Sequence, residues 1–226
     1  MLTAILTGLR DSRLVWDLLG PLYNHRIHHA LHELFEHIAR DLSLQGNAQV
    51  LDVGAGPGHL ALRVAELHPS STVTGVDFSP MQVRAARRLQ RSREIGNCRF
   101  SKANAMHLPF DEARFDAVVS VGSIKHWPDP LQGIREMVRV LRPGGLLLVS
   151  ETDREAAQDD LERFMERFTA WYLWNPLLLW GLRRIVFGQS FSEGQLMKLL
   201  ERSGSREVQA HRLEGCPYVI VKARRG

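Results

Sequence analysis

Residues 50–58 read Val50-Leu51-Asp52-Val53-Gly54-Ala55-Gly56-Pro57-Gly58, an apolar run that ends in three glycines on alternate positions. A second apolar run, Thr72-Val73-Thr74-Gly75-Val76-Asp77, closes on an acid. A strand entering a glycine turn lets backbone approach a ligand closely, and the helix that follows offers unpaired N–H groups. An acid about 20 positions further on, at the tip of the next strand, takes the two hydroxyls of a ribose. The pair therefore describes a pocket for a nucleotide-like cofactor. It is not the dinucleotide fingerprint, whose third glycine would fall where His59 stands.

Working outward, 226 residues with 44% hydrophobic content suit one large domain, or one domain with a modest cap. Cys98 and Cys216 form no metal-ligand spacing and no disulfide framework, so a reducing compartment fits. The first ten residues lack a basic start and a small-residue cleavage site, and the reading is cytoplasmic. The net charge of +4 comes mostly from scattered arginines. Their densest cluster, Arg84, Arg87, Arg88, Arg91 and Arg93, repeats at helical spacing and reads as a solvated outer face, with a phosphate-tracking patch as the alternative.

Residues 11–45 read as helical, broken near Pro21, with Leu31, Leu34, Phe35 and Ile38 on one face. From residue 49 strands and helices alternate: strands at 49–53, 72–77, 98–101, 115–121 and 146–151, helices near 58–67, 80–94 and 129–141. Such alternation implies a parallel sheet covered on both faces. Ser79 before Pro80 makes a helix start, and Pro143-Gly144-Gly145 a turn before the fifth strand. Residues 155–190 form an aromatic helical stretch, and a helix opens at Ser192. Two antiparallel strands near 207–213 and 218–223 close the chain around Gly215-Cys216-Pro217.

The motifs, in this order, resemble those of the class I S-adenosylmethionine (SAM) methyltransferases over roughly residues 45–225. The branch most like this chain is the small-molecule one that includes ubiquinone/menaquinone-biosynthesis-type enzymes. Leu51 through Gly58 stands as its first motif, and Asp77 as the ribose acid, followed by Phe78-Ser79-Pro80-Met81 against the adenine. Asn104-Ala105-Met106-His107-Leu108-Pro109-Phe110 is similar to Asp-Ala-x-x-Leu-Pro-Phe, with Asn104 for the usual acid; its amide carbonyl can still accept from the adenine amino group. Phe115 through Ser120 looks like the fourth strand, and Arg139-Val140-Leu141-Arg142-Pro143-Gly144-Gly145 like the turn before the fifth.

The resemblance implies a Rossmann-like α/β fold. Its sheet would be seven-stranded and mostly parallel with the last strand antiparallel, with helices on both faces. Residues 1–47 would be an N-terminal helical lid, and 48–226 the SAM-binding domain with an aromatic helical cap inserted at about 155–190. SAM contacts would come from Asp52, Gly54, Ala55, Gly56, Gly58, Asp77, Phe78, Met81, Asn104, Ala105, Met106 and Val121, with Tyr23 of the lid closing over them.

Val121-Gly122-Ser123-Ile124-Lys125-His126-Trp127-Pro128-Asp129 resembles the family's His-His-Leu-x-Asp stretch, with Lys125 in place of the first histidine. It lacks the Asn/Asp-Pro-Pro-aromatic signature of enzymes that methylate exocyclic amines of bases, and neither cysteine is placed for base C5 chemistry. His126, on the loop above the fourth strand, is the candidate base; the alternative is that it packs beside Trp127 or the cofactor. Glu151 is the second base candidate. Lys125 either orients an anionic substrate or is solvated. With Lys125, His126 and Trp127, the cap residues Phe168, Trp171, Tyr172 and Trp174 would line the acceptor pocket.

His25, His28, His29, His32 and His37 have helical spacing, but no further ligands complete a site, so no metal is assigned. The expected activity is methylation of O or N on a small aromatic or apolar acceptor. Nucleic acid is disfavoured, and a weak membrane-surface contact through the cap stays open. The rivals are an RNA or protein methyltransferase, and a non-catalytic SAM-binding or membrane-peripheral protein.

Overall fold

The computed structural model of the protein describes residues 30–166 and 190–226. One sheet holds β1 (Gln49–Val53), β2 (Thr72–Asp77), β3 (Cys98–Lys102), β4 (Phe115–Val121), β5 (Leu141–Thr152), β6 (Ser205–Arg212) and β7 (Tyr218–Arg225). Their spatial order is β3-β2-β1-β4-β5-β7-β6. The β1, β2, β3, β4 and β5 pairings are parallel, and β7 runs antiparallel to both its neighbours. The described helices are α1 (residues 30–41), α2 (His59–Leu67), α3 (Pro80–Ser92), α4 (Pro130–Val140), α5 (Gln158–Glu166) and α6 (Glu193–Arg202). This is the α/β architecture expected from the alternating pattern.

Alternation along each strand builds two cores. Val50 and Val73 pack with Leu34 and Ile38 of α1, Leu62 of α2 and Ala86 of α3. Leu51, Val118 and Leu147 face the other way, onto Ile134 and Met137 of α4 and Leu196 and Leu200 of α6. Because β1 is buried on both faces, Asp52 is the one polar residue among its four buried positions, Val50 to Val53.

The helix starts follow from local chemistry. The Ser79 hydroxyl accepts from the Gln82 N–H at 3.4 Å, with Pro80 in the first turn. Asp129 does the same for the Gln132 N–H at 3.0 Å. At α6, Ser192 and Gln195 cap each other reciprocally. The arginines of α3 are exposed, as the helical spacing predicts, and Arg87 reaches the Phe100 carbonyl at 2.7 Å.

The Pro143-Gly144-Gly145 turn does not precede β5 but lies within its span. Leu141 pairs with Phe115 and Leu146 with Ala117, so the residues between bulge out of the ladder. Helix α1 packs as part of the first core, and Arg63 of α2 bonds both carboxylate oxygens of Glu36 at 2.5 and 3.0 Å. That guanidinium pulls the Glu36 pKa down to about 2, against the effect of burial. No helix among the described residues is long and apolar enough to cross a membrane.

The strand order switches sides between the parallel neighbours β1 and β4, with β2 and β3 built outward on one side and β5 on the other. Their carboxyl ends therefore open a crevice, which is where ligands of such sheets bind.

Candidate cofactor and active site

The glycine turn sits at this switch point. Gly54 and Ala55 both donate to the Val76 carbonyl, at 2.8 and 2.9 Å, and Gly58 donates to the Ala55 carbonyl at 2.9 Å. Gly56 donates to Asp77 Oδ2 at 2.8 Å. The loop N–H groups are thus used inside the protein and form no cradle for a pyrophosphate.

The three glycines have different reasons. At Gly54, φ is +76° and an added Cβ would lie 1.9 Å from Ser123 Oγ. At Gly58 a Cβ would meet the Phe100 ring at 2.5 Å. At Gly56 a Cβ would meet nothing within 4 Å, so this glycine alone faces open space.

Two acids flank the turn. Asp52 is 2% exposed and its Oδ2 makes no hydrogen bond among the described residues. Burial, and then the nearby Asp77 carboxylate, push its pKa up to about 7. Asp77 accepts the Gly56 N–H on Oδ2 and the Ser79 N–H on Oδ1, each at 2.8 Å. Burial raises its pKa, and those two N–H donors oppose the rise. A carboxylate has about four acceptor sites, so capacity for two hydroxyls remains. Next to it Phe78 is 56% exposed, the exposed large hydrophobic residue of the described chain, with Lys102 Nζ 5.7 Å from its ring. Met81 is half-buried on the first turn of α3.

The loop from Asn104 to Phe110 forms a further wall. Asn104 Oδ1 accepts the Met106 N–H at 3.1 Å, so its carbonyl already braces the turn that holds half-buried Ala105 and Met106. The loop is held from behind by two residues that motif reading did not single out as a pair. Glu136 accepts the Leu108 N–H at 2.8 Å, and Arg139 donates to the Leu108 and Phe110 carbonyls at 3.1 and 2.9 Å. Arg139 and Glu136 also bond each other at 2.7 and 2.8 Å. Their spacing of three on one helix was the available signal.

The loop after β4 departs most from expectation. Half-buried Val121 ends the strand, and a 3₁₀ turn, Ile124–His126, follows. Lys125 is not solvated: it is buried, with Nζ 3.0 Å from Glu151 Oε2 and 3.4 Å from Thr152 Oγ1. The Lys125 N–H also points at Glu151 Oε1, at 3.4 Å. Both Glu151 oxygens therefore face Lys125, and the pair braces the loop against β5. Trp127 donates its Nε1–H to Ser123 Oγ at 3.0 Å, and its ring lies where a Gly133 Cβ would be. It anchors the loop to α4. His126 is half-buried at the end of the turn. Tyr23, Phe168, Trp171, Tyr172 and Trp174, with most of the cap and the lid, lie outside the described residues. Cys98 is buried, and burial followed by Asp52 pushes its thiol up to about 12, far from a nucleophile.

SAM fits this donor set. It carries a cationic ammonium suited to Asp52, ribose hydroxyls suited to Asp77, an adenine for the open face of Phe78, and no phosphate for a loop that has no N–H groups to spare.

Residues 44–204 match a family described as a methyltransferase domain. The 27-O-demethylrifamycin SV methyltransferase of Amycolatopsis mediterranei is 35% identical over 148 residues, covering 60% of this chain and 54% of that one. The demethylmenaquinone methyltransferase of Thermus thermophilus is 39% identical over 114 residues, 50% of this chain and 51% of that one. The chain spans about half the length of these curated relatives. The crystal structure of the cyclase SpnF superposes with a TM-score of 0.70 at 26% identity, covering 94% of both chains. With the sheet order, the glycine turn and the two acids in place, this chain belongs to the class I SAM-dependent methyltransferase family.

Proposed function

We propose that the protein transfers the methyl group of SAM to an oxygen or nitrogen of a small apolar acceptor, aromatic ones included. The observation that carries the reading is Asp52. A buried acid with an unpartnered oxygen beside a second acid is unfavourable until a cation meets it. SAM, when bound, supplies a methyl group on a positively charged sulfur, so the chemistry asks for alignment and a dry site. Asp52, Asp77, Phe78 and the glycine turn hold it, and the Arg139–Glu136 pair keeps the Asn104–Phe110 wall in place. His126 is the base we assign to an acceptor hydroxyl or ammonium proton.

The names of the relatives support the acceptor class. One specifies O-methylation of a demethylrifamycin, and the other methylation of demethylmenaquinone, both small molecules. Oxygen is accordingly the first atom to test. The likeness to a cyclase along nearly the whole chain favours one second reading, a SAM-fold protein that acts on an apolar substrate without methylating it.

The test is calorimetric titration of SAM and S-adenosylhomocysteine into wild type and Asp77→Ala, followed by mass spectrometry over apolar hydroxyl and amine acceptors. Micromolar binding that collapses in Asp77→Ala, with methylated product, is the expected result. Binding without turnover on any acceptor shifts the reading to the second. Folded wild type that binds neither ligand overturns both.

A further inference from the structure

Away from the cofactor crevice, α1 and the β6–β7 edge bring together a cluster that neither the motifs nor the family resemblance contains. His37 and Asp41 stand one helical turn apart on α1, on the same face. His211 reaches them from β6, 174 residues after His37. His37 Nε2 and His211 Nε2 are 3.3 Å apart, and Asp41 Oδ2 lies 3.9 Å from the first and 3.8 Å from the second. Three ligating atoms of the right type thus converge, two imidazole nitrogens and one carboxylate oxygen.

We propose that His37, Asp41 and His211 form a binding site for a divalent transition metal of the zinc type. Tetrahedral zinc holds N and O ligands at about 2.0–2.2 Å, which puts ligand atoms roughly 3.3–3.5 Å from one another. The two nitrogens already have that separation, and a small rotation of the Asp41 side chain brings its oxygen in. Two nitrogens and one oxygen leave a fourth position for water. The donor set suits zinc, cobalt or nickel rather than calcium or magnesium, which take oxygen ligands.

Lys222 of β7 now occupies the cation's side of the carboxylate, its Nζ in contact with Asp41 Oδ2. That oxygen is buried and accepts no well-formed hydrogen bond. A dication and the Lys222 ammonium compete for the same oxygen, so metal binding expels Lys222 towards solvent, where its partly exposed side chain can follow. The affinity is lowered by that competition, and removing the ammonium strengthens the site. Occupied, the metal staples α1 to the sheet edge. The spacing of the N-terminal histidines did not reveal this site, because its completing ligand comes from the far end of the chain.

The experiment uses the untagged full chain. Zinc is titrated calorimetrically, and cobalt is followed by its visible absorption, which reports four-coordinate nitrogen and oxygen ligation. The expected result is one equivalent bound, with roughly tenfold or greater weakening in His211→Ala and in His37→Ala. Lys222→Met should bind more tightly than wild type. As a control, combined replacement of His25, His28, His29 and His32 by Ala should leave the stoichiometry unchanged. No saturable binding by wild type or Lys222→Met overturns the proposal. So does binding that survives His211→Ala but is lost when the four upstream histidines are replaced. Should His211→Ala fail to fold by circular dichroism, the sign of the Lys222→Met effect decides: tighter supports, unchanged or weaker refutes.

Discussion

Asp52 is the residue on which most of the chemistry turns. Its folded pKa, raised to about 7, lies above the unfolded carboxyl value of 3.8. The ligand-free protein therefore binds an extra proton between those limits. Its Asp52 contribution to stability is full below about pH 4 and is lost as pH rises through 7. A cationic ligand reverses the preference by favouring the carboxylate. SAM affinity should accordingly increase as pH rises through about 7, with a proton released on binding. Asp52→Asn should flatten that profile and melt at a higher temperature than wild type at pH 8, the gap closing towards pH 5. Calorimetry in buffers of different ionisation enthalpy, with melting curves at the same pH values, measures both effects. The motif glycines can be separated in the same way. Gly56→Ala places a methyl group in open space, so the protein should fold with a left-handed backbone penalty of about 1–2 kcal/mol while SAM binding falls sharply. Gly54→Ala drives Cβ into Ser123 and should lose stability first, seen as a lower urea midpoint.

At the scale of elements, the loop after β4 is held by a buried ion pair and an indole. Lys125 and Glu151 are both buried, and breaking one partner leaves the other uncompensated. Lys125→Met should cost about 3–5 kcal/mol in urea unfolding, while the double change Lys125→Met with Glu151→Leu should recover most of it. If Glu151 instead acted as a free base, the single change at Lys125 would alter the pH profile of turnover and leave stability nearly intact. Helices and strands themselves were largely legible. Ser79-Pro80, Asp129-Pro130 and the Ser192/Gln195 box announce their starts because capping is local chemistry. The bulge at Pro143-Gly144-Gly145 was not placed within β5, because a strand is defined by its partner and not by its own residues. Lys125 misled for a related reason: a lysine reads as solvated until a carboxylate from another strand is brought against it.

In the whole molecule, the periodicity of apolar residues and the Gly54-Ala55-Gly56-Pro57-Gly58 turn determined a parallel α/β sheet with its ligand crevice beyond β1. Both signals act over a few residues, so no knowledge of neighbours is needed to read them. The same holds for Asp77, whose place at a strand tip follows from the run that precedes it. What only the tertiary structure decided are the pairings across long sequence separations. Arg139 and Glu136 clamp the Leu108–Phe110 loop, Lys125 meets Glu151, and His211 meets His37 and Asp41. Each depends on which strand lies beside which, and burial then gives each group a charge environment that no local window contains. Side-chain roles in this chain are therefore set by the sheet order, even where the sheet itself was written in the local pattern.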